Sequence, residues 1–259
     1  MRILAVANQK GGVGKTSTAA AFAGLARDDG RVLTVDLDPQ GSLTHYFGLA
    51  PVGADRGIYP VLSGSAGLAS QIRAAVCEGV DLVPAGTALA SLEREQGRAA
   101  GMGLRLMHAL DSVAADYAWA VLDVPPALGV LMINALAAAD HLLIPTQTDP
   151  LARHGVEAMV RTVTMVNRSR PQPLAFSILP TFFDPRTRAG KAGLEALVQA
   201  HPGALLDTVI PMDTKVREAA EAGQPIGIFC RGCRAAAAYQ QAWTQLAPRV
   251  AGHQSRVAA

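Results

Sequence analysis

A doubly wound α/β fold, with a mostly parallel sheet flanked by helices, is the architecture this sequence predicts. Three observations carry that expectation. Short apolar runs alternate with stretches of helical periodicity along the chain. The first run leads straight into a glycine-rich loop and then a helical pattern, the order in which a βαβ unit begins. Two later runs end in aspartate, at the carboxyl edge where open α/β sheets bind their ligands.

The elements follow in order. Strands are expected at Arg2–Ala7, Val32–Val35, Val80–Val83, Trp119–Leu122, His141–Pro145, Leu174–Leu179 and Leu205–Ile210, each a short apolar run. Ala19 to Leu25 recurs as on a helix, and Gly103–Ala115, Leu151–Asn167 and Arg188–Gln199 carry the same spacing. Ala50 to Ala75 is rich in Gly, Ser, Pro and Ala and reads as a surface excursion of short helices. No repeat, low-complexity tail or linker interrupts the pattern, so residues 1–259 read as one domain.

Composition narrows the function classes. A net charge of +2 is too small to imply a nucleic-acid partner, although acids prevail up to residue 130 and bases after it. The three cysteines do not make a disulfide framework. Cys230 and Cys233 form a single C-x-x-C with no second pair or spaced histidines for zinc; a redox pair lacks a thioredoxin-like context, and incidental thiols are the simpler reading. The six histidines are scattered and suggest no catalytic set. The chain opens at once on a strand, which leaves no room for a signal peptide, and no apolar run has the length of a membrane span. A cytoplasmic protein is expected.

The loop Lys10-Gly11-Gly12-Val13-Gly14-Lys15-Thr16 carries the sharpest chemistry. Its glycines accept the conformations needed to turn backbone N–H groups onto a phosphate, and the next helix aims its positive dipole end there. The common phosphate-loop pattern asks for glycine where Gln9 stands and does not call for Lys10. Valine 32 to Asp38 puts two carboxylates, Asp36 and Asp38, at one strand end, and Ala120 to Asp123 puts a third at another. Helix capping is the alternative use of the first two.

With a lysine at each end of its loop, followed by D-L-D-P-Q-G at 36–41 and D-V-P-P at 123–126, the sequence resembles the ParA/MinD/Soj family of deviant Walker-A ATPases through most of its length. The resemblance implies an ATP- and Mg²⁺-dependent ATPase. Gly11 to Ser17 would hold the phosphates, with Lys15 reaching the β- and γ-phosphates and Lys10 crossing a homodimer to the partner's nucleotide. Thr16, Asp36 and Asp123 would serve the metal, and Asp38 would orient the attacking water, so that Lys10, Lys15 and Asp38 form the catalytic set. Adenine would lie against Pro180–Asp184 and Ile210–Asp213, with Thr181, Pro211 and Asp213 contributing mainly backbone groups.

The resemblance also implies a job: ATP closes a sandwich dimer with affinity for a surface, and a ParB-like or polar adaptor protein stimulates hydrolysis. The DNA-binding branch grips phosphates through late basic loops, matched here by Arg186 and Arg188 in D-P-R-T-R and by Lys215 and Arg217 in D-T-K-V-R. The second of these departs from the I-P-R-N-V-R of Soj, and solvated surface cations are the alternative. The Tyr239, Trp243, Leu246 stripe reads as core rather than as a MinD-like membrane helix, so no membrane insertion is expected. The I-P-M-D-T-K-V-R-E-A segment looks like ParC-type members, implying placement of chemosensory arrays at the pole; chromosome or plasmid partition over the nucleoid is the other cargo. A metabolic enzyme on the same scaffold, such as a ligase or an iron–sulfur reductase, is a second class, and a nucleotide-binding scaffold without turnover a third. No cysteine follows Asp123 where a cluster would need one, and the 50–75 excursion leaves a ligase little room.

Overall fold

The computed structural model describes residues 1–94, 102–149 and 152–254. Its centre is a seven-stranded sheet in the order β3-β4-β2-β5-β1-β6-β7. The strands are β1 (Arg2–Val6), β2 (Val32–Asp36), β3 (Arg73–Cys77), β4 (Val80–Val83), β5 (Trp119–Asp123), β6 (His141–Gln147) and β7 (Ala175–Thr181). All neighbours pair in parallel except β3 and β4. The central strands β2 and β5 are buried along their whole length, as continuous apolar runs between two helical layers should be.

Helices α1 (Lys15–Ala26), α2 (Ser42–Tyr46), α3 (Ile58–Ser63), α4 (Leu89–Arg94), α5 (Arg105–Asp111), α6 (Val130–Ala138), α7 (Ala152–Asn167), α8 (Arg188–Ala200), α9 (Lys215–Glu221), α10 (Ile226–Phe229) and α11 (Arg234–Gln254) cover the sheet. Two apolar cores result, one per face. Residues of α3 to α8 build the first, and residues of α1, α2 and α9 to α11 the second. In the second, Phe22 of α1 lies 5.8 Å from the Tyr239 ring and 5.4 Å from the Trp243 ring. Tyr239, Trp243 and Leu246 are buried, so the C-terminal stripe is core, and α11 continues past Pro248 to Gln254.

Two elements differ from the sequence expectation. The first is Leu205–Ile210, which is no strand; it meets β7 and its following loop only at the isolated bridges Ile178–Leu205 and Phe183–Pro211. Ile178 both donates to Ala204 and accepts from Leu206, but the next ladder position on that side is Pro180, which can accept from Ile210 and has no N–H to give. The ladder stops there. The second is β3, where a surface excursion was expected to run to Ala75. The turn at Glu78-Gly79, with Gly79 at φ 77°, folds Arg73–Cys77 back onto β4 as an antiparallel edge. The helix expected over 103–115 is shorter, Arg105–Asp111, entered by a single 3₁₀ turn. Leu151 of the pattern at 151–167 lies outside the described residues.

Strand β1 sits between β5 and β6, and the chain leaves it for β2 on one side and returns to fill β6 on the other. The loop after β1 therefore opens at the point where neighbouring connections diverge, with the ends of β2 and β5 beside it.

Candidate functional site

The loop from Asn8 to Gly14 is fixed from all sides. Buried Asn8 donates to the Pro145 carbonyl at 2.8 Å and accepts from the Lys10 amide at 2.9 Å. Gln147 donates to the Gly12 carbonyl at 3.0 Å, and the Thr181 hydroxyl to the Val13 carbonyl at 3.0 Å. Gly12 and Gly14 stand at φ 72° and 83°, where side-chain-bearing residues are strained. A Cβ on Gly11 or Gly12 would meet nothing within 4 Å, so the loop lines an open cradle. Gly14 caps α1 with no side-chain partner, leaving the amides of the first turn to face that cradle.

Lys15 is buried, its Nζ turned back to the Lys10 carbonyl at 3.2 Å. Burial lowers its pKa, while the charges of Asp123 and Asp38 pull the other way, which places all three groups at one spot. The Lys10 ammonium is paired with Asp149 at 2.5 Å, at the end of β6.

Asp36 and Asp123 are register neighbours on β2 and β5, both inaccessible to solvent. Asp36 accepts from the Thr44 amide and hydroxyl, both at 2.8 Å, and from the Asp38 amide at 3.1 Å. Burial pushes its pKa up to about 6 against those bonds. Asp123 is pushed well above the usual carboxylate range, first by burial and then by the charge of Asp36. The Thr16 hydroxyl donates to its Oδ2 at 2.7 Å, and its buried Oδ1 has no hydrogen-bond partner among the described residues. Such an orphaned oxygen, beside a hydroxyl and a second carboxylate, fits a hard divalent cation. Asp38 is half-buried at the edge of the same spot, its Oδ1 accepting from the Gln40 amide.

Beside the loop lies a cavity of about 340 Å³ with mostly apolar walls. Gly14, Ser17, Thr181, Pro211 and Asp213 line it, so the residues expected against a base converge there. The sequence reading passed over Phe182, which adds a wall. It holds φ 53°, a strained value for an aromatic residue, and its ring would lie 3.4 Å from a Cβ on Gly14. Tyr239 is a second omission, lining the cavity with its hydroxyl 3.2 Å from that of Thr18. Thr44, Gln147 and Asp149 were also missed; each is an ordinary residue whose role comes only from folding. Phe182, beside the noted Thr181, was the one with a local signal.

Of the four cations expected at DNA, Arg186 lies on the loop after β7, Arg188 opens α8, and Lys215 and Arg217 lie in the first turn of α9. The segments leading into the two helices meet at the Phe183–Pro211 bridge. Two are matched by nearby acids: Arg186 pairs with Asp184 of its own loop at 2.8 Å, and Lys215 with Glu218 one turn along α9 at 2.6 Å. Arg188 and Arg217 are exposed and form no ion pair among the described residues. No group of three or more His, Cys, Asp or Glu side chains that could hold a metal ion occurs among the described residues. No helix there is long and apolar enough to cross a membrane.

A seven-stranded doubly wound sheet with a glycine-rich phosphate cradle, a buried lysine and a strand-end aspartate on the first helix's threonine defines a P-loop nucleotide-binding protein. A family model described as an AAA domain (AAA_31) matches residues 1–176. The sporulation initiation inhibitor protein Soj of Bacillus subtilis is 35% identical over 240 residues, 92% of this chain and 95% of that protein. The chromosome partitioning protein ParA of Caulobacter vibrioides is 34% identical, over 100% of this chain and 98% of that one. Among solved structures, a cobyrinic acid a,c-diamide synthase of Mycobacterium smegmatis with bound ATP analogue and magnesium superposes with a TM-score of 0.77 at 35% identity, covering 86% of this chain and 93% of that one. The chain belongs to the ParA/MinD/Soj family of P-loop ATPases.

Proposed function

We propose that this chain is a nucleotide-switched positioning ATPase that binds ATP with Mg²⁺, pairs with a second copy, and releases it when a partner protein stimulates hydrolysis. The observation that carries the reading is the loop with a lysine at each end, one buried toward the acids and the other at the rim. In that reading the loop amides and Lys15 grip the phosphates, and Thr16 with Asp123, supported by Asp36, holds the metal. The metal, when bound, neutralises charge on the phosphates. Asp38 orients water for attack on the γ-phosphoryl group, a reaction that depends on positioning and charge rather than covalent help from the protein. Thr181, Phe182, Pro211 and Asp213 enclose the base. Lys10 leaves Asp149 to reach the nucleotide of the second copy.

The homologous Soj and ParA proteins support partition of a chromosome or plasmid as the task. Similarity of 6–16, 36–48 and 210–219 together to ParC-type sequences supports a chemosensory array as the other cargo. Non-specific DNA is the proposed track, touched by Arg186, Arg188, Lys215 and Arg217, with a ParB-like or polar adaptor as the stimulating partner.

Light scattering of the Asp38→Ala protein with ADP and with ATP tests this, followed by titration with duplex DNA at two salt concentrations. A dimer in ATP alone, with salt-sensitive DNA binding, is expected. A monomer in both nucleotides would remove the positioning role and favour a synthase-like enzyme. A dimer indifferent to DNA would move the track to a protein surface. Lys10→Ala should bind ATP as a monomer yet fail to pair.

A further inference from the structure

Cys230 and Cys233 are placed with more care than chance thiols require. Cys230 closes α10, its amide bonded to Ile226 at 2.9 Å, and Cys233 precedes the first residue of α11. The Cys233 amide donates to the Cys230 carbonyl at 3.2 Å, closing a turn over Arg231 and Gly232. Such a turn holds its end residues less than about 7 Å apart at Cα, within the reach of a disulfide. The two side chains interact, and the Ala236 amide of α11's first turn bonds the Cys233 sulfur. Both residues are part-accessible, whereas Arg231 and Arg234 beside them are exposed.

The turn also abuts the base cavity. Asp213 accepts from the Lys215 amide at 3.0 Å through one oxygen and from the Ala235 amide, two residues past Cys233, at 3.3 Å through the other. Its charge reaches the Cys233 thiol, and the Cys230 thiol acts on Lys215. One carboxylate thus ties the cavity loop to the first turn of α11, the helix that also sets Tyr239 in the cavity wall.

We propose that Cys230 and Cys233 form a reversible dithiol–disulfide couple that controls the Asp213 loop and, through it, nucleotide affinity; the second half rests on the nucleotide reading of the cavity. A hydroperoxide is the oxidant. The Cys233 thiolate attacks one peroxide oxygen, the O–O bond breaks, and the leaving oxygen takes a proton, as water when the oxidant is hydrogen peroxide. The Cys230 sulfur then attacks the resulting sulfenic sulfur; the S–O bond breaks, a second water leaves with the Cys230 proton, and the S–S bond forms. Two electrons pass from the sulfur pair to the peroxide, and a dithiol reductant returns them by exchange. Burial, and then the neighbouring Cys230, raise the Cys233 pKa against the Ala236 bond, so the couple reacts slowly. Burial likewise pushes Cys77 up to about 11, which disfavours its thiolate. Drawing the sulfurs to about 2.05 Å tightens the turn, and the long Ala235–Asp213 bond is the first to yield.

Full-length protein would be treated with hydrogen peroxide, blocked at its free thiols and mapped by peptide mass spectrometry. In parallel, hydrogen exchange over residues 211–217 and affinity for a fluorescent ATP analogue would be read in reduced and oxidised samples. The expected result is a Cys230–Cys233 link with Cys77 still free, faster exchange in that loop, and about tenfold weaker nucleotide binding, all reversed by dithiothreitol. Cys233→Ser, which keeps a capping oxygen, should lose the response. Single-cysteine sulfinic acid without a link, or an equal response in Cys233→Ser, would each overturn the couple, and a link that leaves exchange unchanged would overturn its control of the Asp213 loop. A link that changes exchange but not affinity would overturn the coupling to nucleotide. If the reduced protein bound no ATP, the cavity reading would fall, while the exchange data would still decide the couple.

Discussion

The phosphate end and the base end of the site are built in different ways. At the phosphate end every acid is a strand terminus or follows one by two residues, and Asp36, Asp123 and Lys15 are buried and wired to neighbours. At the base end the groups hang on the loops after β7 and before α9, with Phe182 and Met212 exposed and the adjoining cations at the surface. Sheet-borne groups hold position before any ligand arrives, which suits charge stabilisation. Loop-borne groups can shift, which suits a surface that must change hands. On the proposed function, the same molecule carries a sheet-borne chemical half and a loop-borne contact half.

That division can be broken at either end. Lys15→Ala carries the largest expected effect: ATP affinity should fall on the order of 100-fold or more, because a desolvated charged contact is lost. Isothermal titration with ATP and Mg²⁺ measures it, and near-normal affinity would mean that the loop amides suffice. Asp38→Ala should keep ATP binding while turnover drops about 10²- to 10⁴-fold, the usual range for a lost proton-handling or water-placing group; steady-state phosphate release decides. Thr44→Val leaves the buried Asp36 oxygen without the hydroxyl, and should cost about 1–3 kcal/mol of stability in denaturant unfolding. Equal stability would show that the phosphate end is less tightly wired than its hydrogen bonds imply. At the base end, Arg217→Ala should lower the salt slope of DNA binding by about one, whereas Arg186→Ala, already paired with Asp184, should change it less. The reverse order would mean that the pair opens at DNA.

How much of this was legible in the sequence follows the same division. The loop, Lys15, Thr16 and the strand-end aspartates are local in sequence, since a strand that ends in an acid must present it at the sheet edge. Six of the seven strands were legible for a similar reason, as buried parallel strands are unbroken apolar runs. The seventh, β3, is a short edge strand that pairs on only one side, and nothing in its residues set it apart from the excursion before it. Leu205–Ile210 has the apolar content of a strand and fails because of a proline on its neighbour, which no local pattern can register. Asp149 opposite Lys10 and Thr44 behind Asp36 depend on segments 139 and eight residues apart meeting in space. Asp36, expected to serve the metal, also accepts bonds from the Asp38 amide and from Thr44, partners that a local pattern does not show.

The paired ends of β2 and β5 carry a consequence for the protein's lifetime. Two adjoining buried carboxylates oppose folding unless a cation or protons offset their repulsion, so on the proposed reading molecules without nucleotide and metal would open more often than loaded ones. Proteases act on opened chains. Abundance in the cell would then follow the supply of nucleotide and metal, with starvation trimming the idle copies before the working ones.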